Sequence, residues 1–228
     1  MNVLKLGVAA LVVAALGGCA TAPQQALPLS ATALTGDAGR VGVAMTALPK
    51  IDTAFPGAGC LLCIAVASGV HGKMAGHVRT LPCEDLPDLK KQAAAAITKK
   101  GATAVMIDGE LKIDALENFK SDQPNFARKD FRSLREKLNI DRLMVVDLAA
   151  LGVWRDYSSY VPTSDPKAIV KGAAYRVNLR TNALEWYAPI EIAKAATTWD
   201  QPPKYPDLTN AYFQAIELGK DVVLKPLQ

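Results

Sequence analysis

Cysteine and histidine side chains between residues 60 and 83 are the groups in this sequence best able to do chemistry. Cys60 and Cys63 form a C-x-x-C pair, and His71, His77 and Cys83 follow. A C-x-x-C pair at a helix N-terminus is typical of thiol–disulfide chemistry, because the helix dipole lowers the pKa of the thiol. The aromatic, glycine and proline flanks of a thioredoxin-like site are absent, so we expect structural cysteines rather than redox catalysis.

The same residues include zinc-type ligands, but their spacing, C-x2-C-x7-H-x5-H-x5-C, matches no standard site. We therefore expect no metal, no cofactor and two partly exposed loop histidines. One disulfide among Cys60, Cys63 and Cys83 is the expected arrangement for an exported chain. If Cys60 and Cys63 lie on a strand, their side chains point to opposite faces, and Cys83 must then be a partner.

Hydrolytic motifs are missing from the sequence, which has no G-x-S-x-G, no phosphate loop and no H-E-x-x-H. Ser158, Ser159 and Ser164 have no histidine nearby in the chain. We expect a protein that is not an enzyme. Among catalytic alternatives, an envelope hydrolase fits the sequence best.

The N-terminus has the three parts of a secretory signal: Lys5 with the free amine, an apolar run over 6–16, and small residues before Cys19. The run is shorter than the roughly 20 apolar residues that a membrane-spanning helix needs. Leu16-Gly17-Gly18-Cys19 resembles the lipobox of bacterial lipoproteins. That resemblance implies that residues 1–18 are removed and that Cys19 carries the acyl chains that anchor the protein. Ala20, where an aspartate would retain the protein at the inner membrane, favours the outer membrane, with the domain facing the periplasm.

Composition limits the partners. Removal of residues 1–18 takes away Lys5 and lowers the formal charge from +4 to +3. Basic residues are interleaved with acidic ones and form no basic cluster, so we expect no nucleic acid partner. Residues 19–38 are small, polar or proline and predict a flexible tether. Residues 39–228 are then one domain.

Apolar periodicity predicts a simple order of elements in that domain. The predicted elements are strands over 40–50, 102–107, 143–154, 167–180 and 184–192, and helices over 84–100, 126–138 and 209–224. This order predicts an α/β (α+β-like) sandwich with a mixed sheet of about five strands, a C-terminal hairpin pair and about three packing helices. Residues 52–82 are interpreted as an irregular, apolar, glycine-rich insertion.

Three stretches carry a resemblance to periplasmic domains of the LpoB-type activators, the curli-secretion lipoprotein and the N-terminal domain of TolB. They are VGVAMTALP, NIDRLMVVDLAALGVW and GAAYRVNLRTNALEWYAP. Trp186 takes the place of a tryptophan common in the second hairpin strand. Asn182 replaces a turn glycine, and asparagine tolerates the same left-handed backbone. The resemblance implies the fold given above and carries no catalytic motif.

Two groups of apolar residues are candidate partner contacts. Trp154, Tyr157 and Tyr160 mark the end of a strand, where core packing and partner binding are both open interpretations. The block around Leu61, Leu62 and Ile64 is too short to span a bilayer. It is either buried against the domain or docked on the membrane or a partner, close to the tether.

These observations favour a non-catalytic envelope lipoprotein that binds a protein partner, or copies of itself, during envelope or secretion assembly. The membrane is reached through the lipid on Cys19. An oligomeric, pore-forming export lipoprotein is the alternative.

The lipobox yields a direct prediction. Cys19→Ser removes the thiol that accepts the lipid, so palmitate labelling of the protein in cells should be abolished, leaving soluble or unprocessed chain. Palmitate label retained at the N-terminus of this variant would contradict the assignment.

Overall fold

A computed structural model describes residues 23–83 and 85–228. The predicted signal sequence, its cleavage site and Cys19 lie outside the described residues. Every described helix and strand begins at Gly36 or later.

A six-stranded mixed sheet organises the chain around the long strand β4 (Arg142–Trp154). The strands β1 (Arg40–Met45) and β2 (Ile51–Ala54) both run parallel to β4 on the same edge, β1 beside its start and β2 beside its end. On the other edge, β4 pairs antiparallel with β7 (Lys167–Asn178). The remaining strands are β3 (Thr103–Met106), beside β1, and β8 (Leu184–Ala195), beside β7.

Beyond the end of β4 the chain forms a small separate hairpin from β5 (Tyr157–Ser158) and β6 (Val161–Pro162). The helices are α1 (Leu61–Val70), α2 (Gly72–Val78), α3 (Asp88–Lys99), α4 (Leu134–Leu138) and α5 (Pro206–Leu224). The mixed sheet and the β7–β8 hairpin confirm the predicted fold class, with five α-helices in the part of the chain that the structure describes, where about three were expected.

The sheet has a packed cluster on each face. Helices α3 and α5 cover one face, and their largest buried side chain is Tyr212. The other face is covered by α4 and by the irregular segment before it, with Phe131 in its centre. Strand β4 supplies alternate residues to both clusters, Met144 to one and Val145 to the other, as its near-continuous apolar sequence requires.

The predicted helix over 126–138 is wrong for most of its length, because only Leu134–Leu138 is helical. Hydrogen bonds with the β7–β8 turn replace the helical ones. The Asn182 side-chain carbonyl accepts from the Phe131 N–H (2.9 Å), and its amide donates to the carbonyls of Ala127 (3.1 Å) and Lys129 (2.9 Å). This tertiary contact overrides the local helical pattern.

The insertion at 52–82 is also more regular than expected, since it contains β2, α1 and α2. Its apolar and small residues form helices, although its many glycines disfavour them in isolation.

The expected flexible tether over 19–38 is wrong for its described part. Leu27 exchanges two backbone hydrogen bonds with Tyr187 (2.8 and 3.0 Å), and Leu34 is buried in the core. The Arg176 guanidinium donates to the carbonyl of Ala33 and pairs with Glu185 (3.1 Å). Burial lowers the pKa of Arg176 to about 10. The segment is therefore bound to the domain, because it brings apolar side chains and free carbonyls to a sheet edge.

Asn182 is buried and has a left-handed backbone, with φ 66°. We expect Asn182→Gly to keep the turn but to lower the free energy of unfolding by about 1–3 kcal/mol, because three hydrogen bonds to buried backbone groups are lost. Urea unfolding followed by circular dichroism measures this change.

Asn139→Gly is the matched control. Asn139 is exposed and also left-handed, with φ 51°, at the C-terminus of α4. A glycine there should leave stability unchanged or slightly higher. Equal effects of the two substitutions would contradict a bracing role for the Asn182 side chain.

Candidate functional site

Helix α1 carries no charged side chain over its ten residues, LLCIAVASGV. It begins at Cys60, whose backbone is extended and whose Sγ accepts a hydrogen bond from the Cys63 N–H (3.0 Å). It ends at His71, where the chain turns by 76° into α2. The helix therefore has defined ends and sits at a corner of the fold.

Only two residues of α1 are buried, Cys63 and Ala67. They are one helical turn apart and pack with Ala58, Tyr157 and Phe55. Because both are small, the helix axis lies close to the loop and hairpin beneath it. The larger side chains of the helix face outward.

The outward side chains form an exposed apolar surface. Leu61 is 89% exposed, Val70 72% and Leu62 64%. Tyr160 and Val161 at the tip of the β5–β6 hairpin are also exposed. The Tyr160 hydroxyl lies 3.7 Å from Cys60 Sγ and donates to it, which joins the hairpin tip to the start of the helix. We call this the α1 surface, made of Leu61, Leu62, Ile64, Val66, Val70, Tyr160 and Val161.

The candidate contact residues divide into two groups. Leu61, Leu62, Ile64 and Tyr160 lie together on the α1 surface. Tyr157 is buried beneath it, where its hydroxyl bonds with His71.

Trp154 is half-buried on the sheet with Lys171 Nζ 4.8 Å from its ring centre. Of the two interpretations of the aromatic cluster, core packing is therefore the right one for Tyr157. Trp154 is not part of the α1 surface.

The disulfide joins Cys60 to Cys63, with 5.0 Å between their Cα atoms. The prediction that Cys83 takes part is wrong, because it assumed that the pair lies on a strand. At the start of a helix, residues three apart lie on the same side and their sulfurs meet. Cys83 instead packs, partly buried, against the cluster under α3 and α5.

His71 fastens the far end of α1. It is buried, contrary to the expectation of an exposed loop histidine, and its Nε2 lies 2.8 Å from the Tyr157 hydroxyl and 3.1 Å from Arg155 Nη1. Phe55 stacks on its ring at 5.5 Å. Desolvation, followed by the charge of Arg155, lowers the pKa of His71 and favours the neutral ring, whose single Nε2 lone pair then faces both donors.

The two histidines are held apart by different partners. His77 on α2 bonds through Nε2 to Thr209 Oγ1 (2.7 Å) rather than turning toward His71. Among residues 23–83 and 85–228, no group of three or more metal-type ligands comes together.

A groove of about 950 Å³ lies on the sheet face that carries Phe131, and no candidate contact residue from the sequence lines it. Tyr175 and Tyr187 form its floor, 6.2 Å apart and nearly parallel, next to Asp147. Burial raises the pKa of both phenols, so they stay protonated. The sequence pattern predicted only that these tyrosines lie in strands, because the same alternation occurs in any half-buried pair of strands.

No described helix is both long and apolar enough to cross a membrane by itself, although α1 and α2 together have the required length and composition.

Comparison with known proteins found no matching family model and no matching curated protein. Among solved structures, a DUF330 protein of Xanthomonas campestris is 13% identical, with a TM-score of 0.40 over 90% of this chain and 92% of that one. PelC of Paraburkholderia phytofirmans, a dodecamer, is 9% identical, with a TM-score of 0.34 over 90% and 96%. Lipoprotein GNA1162 of Neisseria meningitidis is 10% identical, with a TM-score of 0.31 over 78% and 98%. Identities and scores this low assign the chain to no family.

The buried histidine predicts a pH dependence. Its folded pKa is below the ordinary 6.5, so its contribution to stability is present above pH 6.5 and is lost as the pH falls toward the folded pKa. Wild-type protein should therefore lose more melting temperature between pH 7.5 and 5.5 than His71→Gln, which does not titrate there. Identical losses in the two proteins would contradict a neutral, buried His71.

Proposed function

We propose that this chain is a non-catalytic envelope lipoprotein, anchored on the outer membrane through Cys19, that binds a protein through the α1 surface. The bound protein is either another envelope component or a second copy of the chain. The observation that carries the proposal is the exposure of an uncharged apolar helix.

Such a helix is unusual on a free surface. A helix that is apolar on all sides is normally buried in a protein core or a membrane. Large exposed apolar patches usually mark contact sites, since exposing apolar area to water does not stabilise the free protein. Helix α1 is fastened at both ends, by the disulfide and by His71, so it is held in place while exposed.

The glycines near α1 support the same conclusion. A Cβ at Gly69, Gly72 or Gly76 would meet no atom within 4 Å. The packing of this chain therefore does not require glycine at these positions. Their small size leaves room for another backbone to approach closely.

The position of the N-terminus favours a protein over the anchoring bilayer as the occupant. Residues 23–38 are bound to the domain near Tyr187. Three residues lie between Cys19 and Pro23, and the four Cα–Cα steps that join these two span at most roughly 14 Å. Tyr187 pairs through Tyr175 with Val145 near the start of β4. Helix α1 packs beyond Trp154, nine positions further along β4, or about 30 Å away at roughly 3.3 Å per residue.

Replacement of Leu61, Leu62 and Ile64 by serine tests the proposal. These side chains are exposed, so we expect a loss of no more than about 1.5 kcal/mol in unfolding free energy, or roughly 5 °C in melting temperature. The expected functional result is loss of a discrete crosslink formed in cells by a photoreactive residue at Tyr160.

Leu218→Ser is the control variant, because Leu218 is an exposed leucine on α5, away from the α1 surface. It should keep the crosslink. A melting temperature lowered by more than 10 °C in the triple variant would show that the block is core. Binding of the non-acylated chain to vesicles, lost in the triple variant, would make the bilayer the occupant instead.

A further inference from the structure

We infer that the Cys60–Cys63 disulfide is a reactive one, which exchanges with the thiols of an extended, apolar polypeptide lying on the α1 surface. This inference goes beyond the docking role and shares only the α1 surface with it. The substrate class is a polypeptide with two cysteine thiols, and the reaction uses one equivalent per chain.

The two sulfurs differ in access. Cys60 is exposed at the start of α1, whereas Cys63 is buried, 3% exposed, against Ala58 and Tyr157. Thiol–disulfide exchange needs a thiolate to reach one sulfur along the line of the S–S bond, so access decides which sulfur is attacked. An incoming thiolate can reach Cys60 from solvent.

Donors at the start of the helix favour departure of Cys60 as a thiolate. The Cys63 N–H points at Cys60 Sγ from 3.0 Å, and the Tyr160 hydroxyl reaches it from the hairpin. The positive end of the helix dipole adds to both, and thiolates are stabilised at such positions. The sequence flanks differ from those of thioredoxin-like sites, but the helix supplies the same electrostatics.

The surroundings of the disulfide identify its substrate. Leu61 and Leu62 lie between the two cysteines in the chain and point into solvent, and Ile64 and Val66 continue the apolar surface along the helix. A small hydrophilic thiol gains nothing from these side chains. An apolar polypeptide segment buries them while its cysteine approaches Cys60.

The exchange balances in two steps. A substrate thiol loses its proton, and the thiolate attacks Cys60 Sγ, which breaks the Cys60–Cys63 bond, and the released Cys63 sulfur takes up a proton. The second substrate thiol then loses its proton to solvent, and its thiolate attacks the substrate sulfur of the mixed disulfide, which releases Cys60 as a thiolate. The substrate is oxidised to a disulfide, and Cys60 and Cys63 are reduced.

A peptide exchange experiment tests the inference on the chain Ala20–Gln228, which contains every described element. Two reduced two-cysteine peptides are used, one with leucine and phenylalanine flanks and one with serine flanks. We expect folded wild-type protein to oxidise about one equivalent of the apolar peptide, seen by mass, at least five-fold faster than the serine peptide. An intact protein disulfide under excess peptide, or equal rates for the two peptides, would overturn the inference.

Single cysteine variants make a matched pair, because each keeps Cys83 as the same background thiol. Cys63→Ala leaves the accessible Cys60, and Cys60→Ala leaves the buried Cys63. At pH 6, an aromatic disulfide reagent should react with the first at least ten-fold faster than with the second, and Tyr160→Phe should slow the first several-fold. Equal rates for the two cysteine variants would show that the Cys60–Cys63 disulfide has a structural role only. If either variant fails to fold, the wild-type peptide exchange still decides.

Discussion

The pairing of β4 on both edges is the constraint on which the rest of this structure depends. One edge takes β1 at its start and β2 at its end, and the other takes β7 along twelve positions. Because the strand is long and paired throughout, its two ends are separated by the length of the sheet. The N-terminal segment binds near one end, and α1 is fixed beyond the other.

The attachment of α1 balances two opposing requirements. Exposed leucine side chains forgo about 25 cal/mol for each Å² of apolar area that could be buried. The helix is nevertheless ordered, because Cys63 and Ala67 allow a close approach, the disulfide closes its first turn and His71 locks its last. Burial of these side chains against another surface would release the free energy that the folding of the domain leaves unused.

The bound N-terminal segment limits how far the domain could lie from a lipid on Cys19, the anchor proposed above. Leu34 and Ala38 are buried in the core, and Arg142 donates to the Ala38 carbonyl while pairing with Glu185. A tether of twenty flexible residues would let the domain rotate freely. With the proposed lipid on Cys19, the three residues before Pro23 would instead hold the groove beside Tyr175 and Tyr187 close to the point of attachment, with α1 at the other end.

The sequence by itself determined the fold class and the β7–β8 hairpin, because strand alternation and turn residues act locally. It also marked Leu61, Leu62, Ile64 and Tyr160 as candidate contacts, but whether they are core or surface depends on neighbours distant in the chain. The partner of Cys60 was misjudged because a short apolar run suits either a strand or a helix. Residues three apart point to opposite faces of a strand but lie on the same side of a helix. The helix over 126–133 was misjudged for a similar reason, since Asn182 bonds to that segment from 51 to 55 residues away. Tertiary structure decided these points because the energies involved, a few hydrogen bonds or one packed ring, exceed the small local preferences that a sequence pattern reports.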